Sequence, residues 1–350
     1  MRKLKVGYWP LSQSLGSAGD RRRLKFWAEA RGHSVVTNLS QRVDILFASE
    51  NSDFNSPYFA NSNAPIVFDL IDAYLSPLNS QDDLMRGVAK KIAGQISGGI
   101  KPFSHHVRDF CLNSDAVICS STEQQEIISK YSTNTHVILD SHDEIPLIQP
   151  MKSEIKFPNR YRILWEGQPA TIGGLKLISP ALAQLSESRT LSLDLVTDET
   201  YFKLLNRYFK RNTQNLLKRD LSEIIDLVTI TPWSTKNLVD FARECSVGVL
   251  PIDISVPIQR FKPENRLLIM WRLGLPCLTS ASPAYVRVAT ASGVDVICDS
   301  PDDWLNKINQ ILQNPTKAHE QVMRGQEYLL ERHSRAILLD KWDQVVESVL

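Results

Sequence analysis

The hydrophobic positions of this chain alternate between short apolar, β-branched runs and longer segments in which apolar residues recur every three or four positions. Short runs of this kind predict buried strands and the longer segments predict helices, which together indicate βαβ units and a parallel sheet. The predicted strands of the first half are Leu4–Tyr8, Ser34–Thr37, Asp44–Ala48, Pro65–Leu70, Ala116–Ser120 and His136–Leu139. Helices fill most of the gaps, beginning with Arg21–Arg31, which Gly32 ends as a C-cap glycine does.

The pattern stops once, in a polar stretch from Asp143 to Asn159 that Pro146, Pro150 and Pro158 interrupt. Such stretches are typical of linkers between domains. The pattern then resumes, and the predicted strands are Arg162–Trp165, Leu191–Val196, Leu227–Ile230, Gly248–Pro251, Pro276–Thr279 and Val294–Cys298. The predicted helices are Gly174–Ser186, Tyr201–Leu217, Thr235–Cys245, Pro263–Leu273, Pro283–Ala291, Pro301–Gln313, Pro315–Arg332 and His333–Val349.

A chain of 350 residues is longer than one hydrophobic core usually supports. The two runs of the pattern therefore predict an α/β protein with two Rossmann-like, parallel-sheet domains that face each other across a cleft. We expect an N-terminal domain at residues 1–150 and a C-terminal domain at residues 151–335. A last helix at residues 336–350 could pack back on the N-terminal domain.

The composition is that of an ordinary globular protein, with 43% hydrophobic and 23% charged residues. A net charge of +1 gives no reason to expect a nucleic-acid partner. The five cysteines are scattered without Cys-x-x-Cys spacing and are interpreted as reduced core residues. The N-terminus has no apolar stretch of signal-peptide length, and no run approaches a membrane span, so we expect a cytoplasmic protein.

Ligands of doubly wound sheets sit outside the carboxyl ends of the strands, and two loops at such places contain glycines. Gly16 and Gly19 precede Arg21 after the first predicted strand, and they would allow close approach of backbone to substrate. Many strand-to-helix turns need glycine only for a positive φ, so a structural role stays open. Glu166-Gly167-Gln168 follows the first strand of the second half, where the glutamate is either a site residue or a solvated strand end.

Two later loops add charge and an aromatic side chain. Arg260, Lys262 and Arg266 lie within seven residues, around a helix that we expect Pro263 to begin. Such a cluster suits a diphosphate through charge-assisted hydrogen bonds, although three neighbouring cations are more often a solvated face. Tyr285, after the strand Pro276–Thr279, could contact the same ligand.

The segments Val249-Leu-Pro, Lys262-Pro-Glu-Asn-Arg266-Leu-Leu and Gly274-Leu-Pro276 resemble the donor site of GT-B glycosyltransferases related to the retaining glycosyltransferase family 4. Gly19-Asp-Arg-Arg, Arg31-Gly-His33-Ser-Val and Ser114-Asp-Ala-Val-Ile-Cys-Ser-Ser121 resemble segments of the acceptor domain of these enzymes. The matches run in order over nearly the whole chain. The helix around Trp342 resembles the tail that often packs back across the cleft in that family.

This sequence departs from the family at the donor site. Where the family has Gly-Arg and Lys-Gly, whose cations hold the donor diphosphate, this chain has Gly167-Gln168 and Gly173-Gly174. Ile269 and Phe261 stand at the positions of the two glutamates, and neither side chain can accept a hydrogen bond. We therefore expect Arg260, Lys262 and Arg266, together with Asn265, to bind the diphosphate instead.

The resemblance implies transfer of a sugar from a nucleotide-diphosphate sugar to a hydroxyl of a glycan, a lipid-linked molecule or a small molecule. It implies retention of configuration and no cofactor. The chain has no Asp-x-Asp triplet, which agrees with metal-independent transfer. Candidate catalytic residues are Asp72, His105 and Glu166, although each residue of the pair His105-His106 is more often structural. Basic residues at Arg21–Lys25 could bring the protein to an anionic membrane, or they could be a solvated helix face.

Three other interpretations stay open. A nucleotide-sugar epimerase of the same fold would isomerise the donor without an acceptor. A non-catalytic relative that binds a nucleotide or a partner protein would explain the missing glutamates and cations. An unrelated two-domain ligand-binding protein would also have a cleft, although exported solute binders normally carry signal peptides.

Overall fold

The computed structural model describes residues 2–150, 160–203 and 209–350. The chain folds into two compact units. The first unit comprises Met1–His142, Phe261–Pro263 and Ser334–Leu350. The second unit comprises Asp143–Arg260 and Glu264–His333.

The first unit contains a six-stranded parallel sheet in the order β2-β1-β3-β4-β5-β6. Its strands are β1 Lys5–Trp9, β2 Ser34–Val36, β3 Ile45–Ser49, β4 Ile66–Leu70, β5 Ala116–Cys119 and β6 Thr135–Val137. Every residue of β3 and β5 is buried, as expected for a parallel sheet that helices cover on both faces. The strand order reverses between β1 and β3, the position at which doubly wound sheets generally have their ligand crevice.

The second unit contains a six-stranded parallel sheet in the order β11-β8-β7-β12-β13-β14, whose order reverses between β7 and β12. A two-stranded antiparallel hairpin of β9 and β10 follows β8. The strands of this unit are β7 Arg160–Glu166, β8 Thr190–Val196, β9 Thr200–Lys203, β10 Phe209–Asn212, β11 Val228–Thr231, β12 Val247–Leu250, β13 Cys277–Ser280 and β14 Ile297–Cys298.

Helices connect the strands in both units, and 3-10 segments at Pro169–Leu177 and Ser222–Leu227 precede α7 and β11 in the order of the chain. Apart from these, the described helices are α1 Ala18–Arg22, α2 Leu24–Arg31, α3 Pro57–Ala60, α4 Ser80–Ile92, α5 Phe103–Leu112, α6 Thr122–Ile128, α7 Ser179–Ser188, α8 Thr213–Asp220, α9 Thr235–Glu244, α10 Pro257–Arg260, α11 Asn265–Arg272, α12 Pro283–Ser292, α13 Pro301–Gln313, α14 Pro315–His333 and α15 Arg335–Glu347. None of the helices in the described ranges is long and apolar enough to span a membrane.

Each unit has its own hydrophobic core. In the first unit Trp27 of α2 stacks on Trp342 of α15 at a centroid distance of 6.0 Å, and both rings contact Phe47 of β3. In the second unit Trp165 of β7 and Trp304 of α13 belong to the cluster that fills the space between the sheet and its helices.

The prediction of two parallel α/β sheets is confirmed, and every predicted strand is present with its ends shifted by a few residues. The helix predicted at Tyr201–Leu217 is wrong. Residues from Thr200 to Asn212 contribute β9 and β10, and α8 begins only at Thr213. Aromatic residues such as Tyr201 and Phe202 favour strands, and this preference outweighs the helical spacing. Residues 204–208 of the predicted helix lie outside the described residues.

Three other boundaries differ from the predictions. The helix Arg21–Arg31 is divided at Arg23, whose φ of −118° and ψ of −109° are not helical. The helix Gly174–Ser186 is a 3-10 segment up to Leu177 and α-helical only from Ser179. Pro263 does not begin α11, because the helix starts at Asn265 and Glu264 is its N-cap. The predicted linker Asp143–Asn159 lies outside the described residues from position 151 onward.

Candidate functional site

The order reversal of the second sheet places two strand ends side by side. Glu166 is the last residue of β7, and Pro251 directly follows β12. A Cβ atom added to Gly174 would lie 2.4 Å from the carbonyl oxygen of Pro251, so glycine lets the 3-10 segment lie against the end of β12. The backbone around the strand ends is therefore closely packed.

Glu166 is an unusual residue for this position because its carboxylate is buried, with 8% of the residue exposed. Its Oε1 accepts a hydrogen bond from the indole Nε1 of Trp233 at 3.0 Å. Its Oε2 is buried and has no hydrogen-bond partner. Trp233 follows β11, so an indole from one strand end holds a carboxylate from another.

Arg266 of α11 lies beside this carboxylate. Its Nε is 3.5 Å from Glu166 Oε2 and makes no hydrogen bond, while its Nη2 donates to the backbone carbonyl of Glu166. The guanidinium carbon is 5.1 Å from the centroid of the Trp165 ring. A Cβ atom on Gly167 would be 3.1 Å from Arg266 Nη2, so the glycine makes room for the guanidinium. The result is a largely buried ion pair in which one atom of each partner, Glu166 Oε2 and Arg266 Nε, makes no hydrogen bond.

An ion pair with α12 holds the start of α11 in place. The N-cap residue Glu264 is buried, and Arg287 of α12 donates to both of its carboxylate oxygens at 3.1 Å. At the first position of α11, Asn265 has a buried side-chain oxygen without a hydrogen-bond partner. Buried polar atoms normally have partners, so the unpaired atoms on Glu166, Asn265 and Arg266 mark an unusual concentration of unsatisfied polar groups at the start of α11.

The other predicted donor residues differ in exposure and in the unit to which they belong. Arg260 ends α10 and is exposed, and Gln168 is exposed after Gly167. Lys262 belongs to the first unit, so the predicted cluster of three cations is divided between the units. Tyr285 of α12 is only 1% exposed, so its ring lies in the protein interior and does not offer a surface to a ligand.

A second group of charged residues lies in the first unit. The backbone N–H of Asp72, two residues after β4, donates to Glu50 Oε2 at 3.0 Å. Asp72 Oδ1 is 3.5 Å from Lys262 Nζ. The Nζ of Lys90 donates to the carbonyl of Glu50 and to Asn51 Oδ1, and it lies 4.4 Å from the centroid of a phenylalanine ring.

This group is electrostatically coupled. Burial, and secondarily the charge of Asp72, raise the pKa of Glu50 to about 8. Burial lowers the pKa of Lys90 to about 8, against the opposing effect of Glu50. A carboxyl with a raised pKa and an amine with a lowered pKa are suited to proton transfer. Glu50 was not among the predicted site residues. It directly follows β3, much as Glu166 ends β7, so the argument from a carboxylate at a buried strand end applies to Glu50 as well.

The predicted glycine loop after β1 has a mainly structural explanation. Asp20 is fully buried and accepts hydrogen bonds from the Tyr8 hydroxyl at 2.7 Å and from backbone N–H groups of the loop. A Cβ atom on Gly19 would lie 2.4 Å from a methyl carbon of Leu11. Gly16 is exposed, and its carbonyl accepts a hydrogen bond from Arg21 Nη1 at 2.7 Å. Of the two glycines, Gly19 is therefore the more closely packed, against the ends of flexible side chains.

The predicted basic surface at Arg21–Lys25 is not formed as expected, because Arg22 and Arg23 are buried. Of the histidine pair on α5, His105 is exposed and His106 is buried, and burial lowers the pKa of His106. In the described ranges no three His, Cys, Asp or Glu side chains are grouped as metal ligands. All five cysteines are free, and burial raises the pKa of each thiol.

No protein-family model matches this chain, and no curated protein matches its sequence. Solved structures match its fold. HepE (Alr3699) of Anabaena, in complex with UDP, has a TM-score of 0.65 at 12% identity, over 99% of this chain and 100% of its own. WaaG, a glycosyltransferase involved in lipopolysaccharide biosynthesis, has a TM-score of 0.58 at 12% identity, over 97% and 99%.

TarM of S. aureus has a TM-score of 0.59 at 12% identity over 86% of this chain. This chain spans 54% of the length of TarM. At identities this low the likeness establishes the fold, which is the two-sheet α/β fold of GT-B glycosyltransferases.

Proposed function

We propose that this chain is a glycosyltransferase that moves a sugar from a nucleotide-diphosphate sugar to an acceptor hydroxyl. The observation that carries the proposal is the ion pair of the buried Glu166 and the partly exposed Arg266 at the order reversal of the second sheet, where doubly wound folds bind nucleotides. The fold shared with TarM, HepE and WaaG supports it, as do the HepE structures with UDP and UDP-glucose.

In the proposed reaction the second unit binds the donor. Arg266 and the first N–H groups of α11 stabilise the negative charge that develops on the leaving diphosphate. Asn265 supplies a hydrogen-bonding side chain at the same helix start, and the exposed Arg260 adds charge. Glu166, which we expected among the catalytic residues, is held by Trp233 and Arg266 and acts on the donor side.

The first unit supplies the groups for the acceptor. Asp72, which is partly exposed, orients the acceptor hydroxyl, and the coupled Glu50 and Lys90 take up or release protons. His105 is exposed and is a second candidate for proton transfer. We propose a glycan, a lipid-linked molecule or a small molecule as acceptor, with peripheral membrane contact in the lipid-linked case.

The finer proposals concern chemistry. We propose that the protein is related to the retaining glycosyltransferase family 4, retains anomeric configuration and needs neither a metal nor a further cofactor. Transfer that stops completely on addition of EDTA, or an inverted product anomer by NMR, would count against them.

Calorimetry with UDP and UDP-glucose tests donor binding. Hydrogen bonds to charged groups contribute about 1.5–3 kcal/mol, so Arg266→Ala should weaken UDP-glucose binding by about tenfold to a hundredfold. Lys262→Ala tests whether Lys262 also contributes to binding. Arg219→Ala, which removes an exposed arginine paired with Asp220, is the matched control and should have no effect. Unchanged affinity in both Arg266→Ala and Lys262→Ala would refute the donor site.

A non-catalytic nucleotide-binding protein is the second candidate, because a carboxylate partner already neutralises Arg266 and Ile269 is buried where the family has a glutamate. Incubation of the protein with UDP-glucose alone separates the possibilities. Slow hydrolysis to glucose supports a transferase, isomerised sugar indicates an epimerase, and an unchanged donor supports the non-catalytic candidate.

A further inference from the structure

Glu166 places a negative charge beside the arginine that we propose for phosphate binding. We infer that Glu166 sets the charge preference of the site, so that the site favours a nucleotide-diphosphate sugar over the free nucleoside diphosphate. The inference rests on the proposed function and names a specificity-determining residue for it.

The first step is the local charge. Glu166 and Arg266 together have no net charge, and the 3.5 Å between Oε2 and Nε keeps the carboxylate within the field of any anion bound to the guanidinium. Free nucleoside diphosphate carries more negative charge at neutral pH than its sugar ester, because its terminal phosphate ionises a second time. An unpaired arginine would therefore favour the free diphosphate, whereas Glu166 opposes that preference.

The second step is that this geometry is fixed. Trp233 donates to Oε1 and Arg266 Nε lies 3.5 Å from Oε2, so the carboxylate is held at both oxygens and the ion pair remains when the tryptophan hydrogen bond is lost. Arg266 is held by the backbone carbonyl of Glu166 and lies over the Trp165 ring, so the guanidinium cannot move far toward a phosphate. An anion on Arg266 stays close to the carboxylate.

The third step concerns access. The side chain of Arg266 is 21% exposed, whereas that of Glu166 is 10% exposed and its Oε2 is not accessible to solvent. A phosphate can therefore reach the guanidinium but not the carboxylate. Glu166 acts through Arg266 and is a positioning residue, and its expected effect in turnover is faster release of the diphosphate product.

The test compares two affinities in the full-length protein. Calorimetry with UDP and with UDP-glucose gives their ratio of dissociation constants, which a structural role of Glu166 would not change. In Glu166→Gln we expect the affinity for UDP to rise about three- to tenfold relative to the affinity for UDP-glucose. The inhibition of transfer by UDP should strengthen by the same factor. Glu244→Gln, which removes a carboxylate paired with Arg162 next to the start of β12, should leave the ratio unchanged.

Trp233→Phe keeps the charge of Glu166 and removes only its hydrogen bond, so the ratio should stay within about twofold of the original. If Glu166→Gln does not fold, Arg266→Gln replaces it. In Arg266→Gln the carboxylate of Glu166 remains without its partner, and it should weaken UDP binding more than UDP-glucose binding. A folded Glu166→Gln or Arg266→Gln protein with an unchanged ratio overturns the inference. Failure of the unmodified protein to bind either ligand would instead refute the proposed function.

Discussion

Arg23 provides the most direct test of how the first unit is held together. It lies between α1 and α2, is fully buried, and donates from Nε and Nη2 to Asp69 of β4 at 2.6–3.0 Å. Its Nη1 donates to the carbonyl of Ile138 at 2.8 Å and to Asp140 at 3.2 Å. The hydrogen bonds of Arg23 thus join the helix break to two segments that are distant in sequence.

Replacement of Arg23 by methionine keeps most of the side-chain volume and removes the charge. The carboxylate of Asp69, which is 3% exposed, would then be buried without its partner. Removal of one partner of a buried ion pair costs about 3–5 kcal/mol. We expect Arg23→Met to destabilise the first unit by that amount, and the double substitution with Asp69→Leu to recover part of it.

Hydrogen exchange measured by mass spectrometry during a urea titration checks this prediction, because peptides from β4 and β5 report on the first unit alone. Arg2→Met is the matched control. The side chain of Arg2 is 72% exposed and pairs with Asp44 on the surface, so its loss should cost less than about 1 kcal/mol. A loss below about 1 kcal/mol in Arg23→Met as well would refute the reasoning.

Three further predictions concern other parts of the molecule. Because burial raises the pKa of Glu50 from 4.5 to about 8, the folded protein favours the protonated carboxyl. The resulting contribution to the free energy of unfolding is fully present below pH 4.5 and is lost as the pH rises through about 8. Glu50→Gln should therefore reduce the fall in urea stability between these pH values, and an unchanged slope would contradict the assignment. Gly174→Ala should lower the free energy of unfolding, measured in urea, by about 1–3 kcal/mol and should weaken UDP-glucose binding. The Cβ atom of the new alanine would clash with the carbonyl oxygen of Pro251. Trp342→Ala should cost about 3–5 kcal/mol, because the ring is fully buried against Trp27, and hydrogen exchange in β1 should rise with it.

The sequence by itself determined the strands and the class of the fold. Strands such as β3 and β12 are short apolar runs that are buried throughout, and this pattern is local and can be recognised without tertiary information. The same local logic drew attention to Glu166, since a carboxylate at the end of a buried strand is unusual. It would equally have identified Glu50.

The tertiary structure decided which charged residues meet. Arg266 pairs with Glu166 from 100 positions away, and Lys262 pairs with Asp72 from 190 positions away. The local pattern predicted a shared role for the two cations, but each has a carboxylate partner from a distant strand end. Ion pairs depend on distance in space, and the spacing of charges along a chain does not contain that distance.

The structure likewise decided where local preference gives way. The helical spacing at Tyr201–Leu217 is replaced by β9 and β10 until α8 begins at Thr213, and the helix is divided at Arg23, whose guanidinium binds Asp69 and Asp140. A buried Asp69 without its arginine would cost about 3–5 kcal/mol, which exceeds the few tenths of a kcal/mol by which helix propensities differ. Periodicity thus predicted the elements, while the contacts between distant residues determined their ends and the composition of the site.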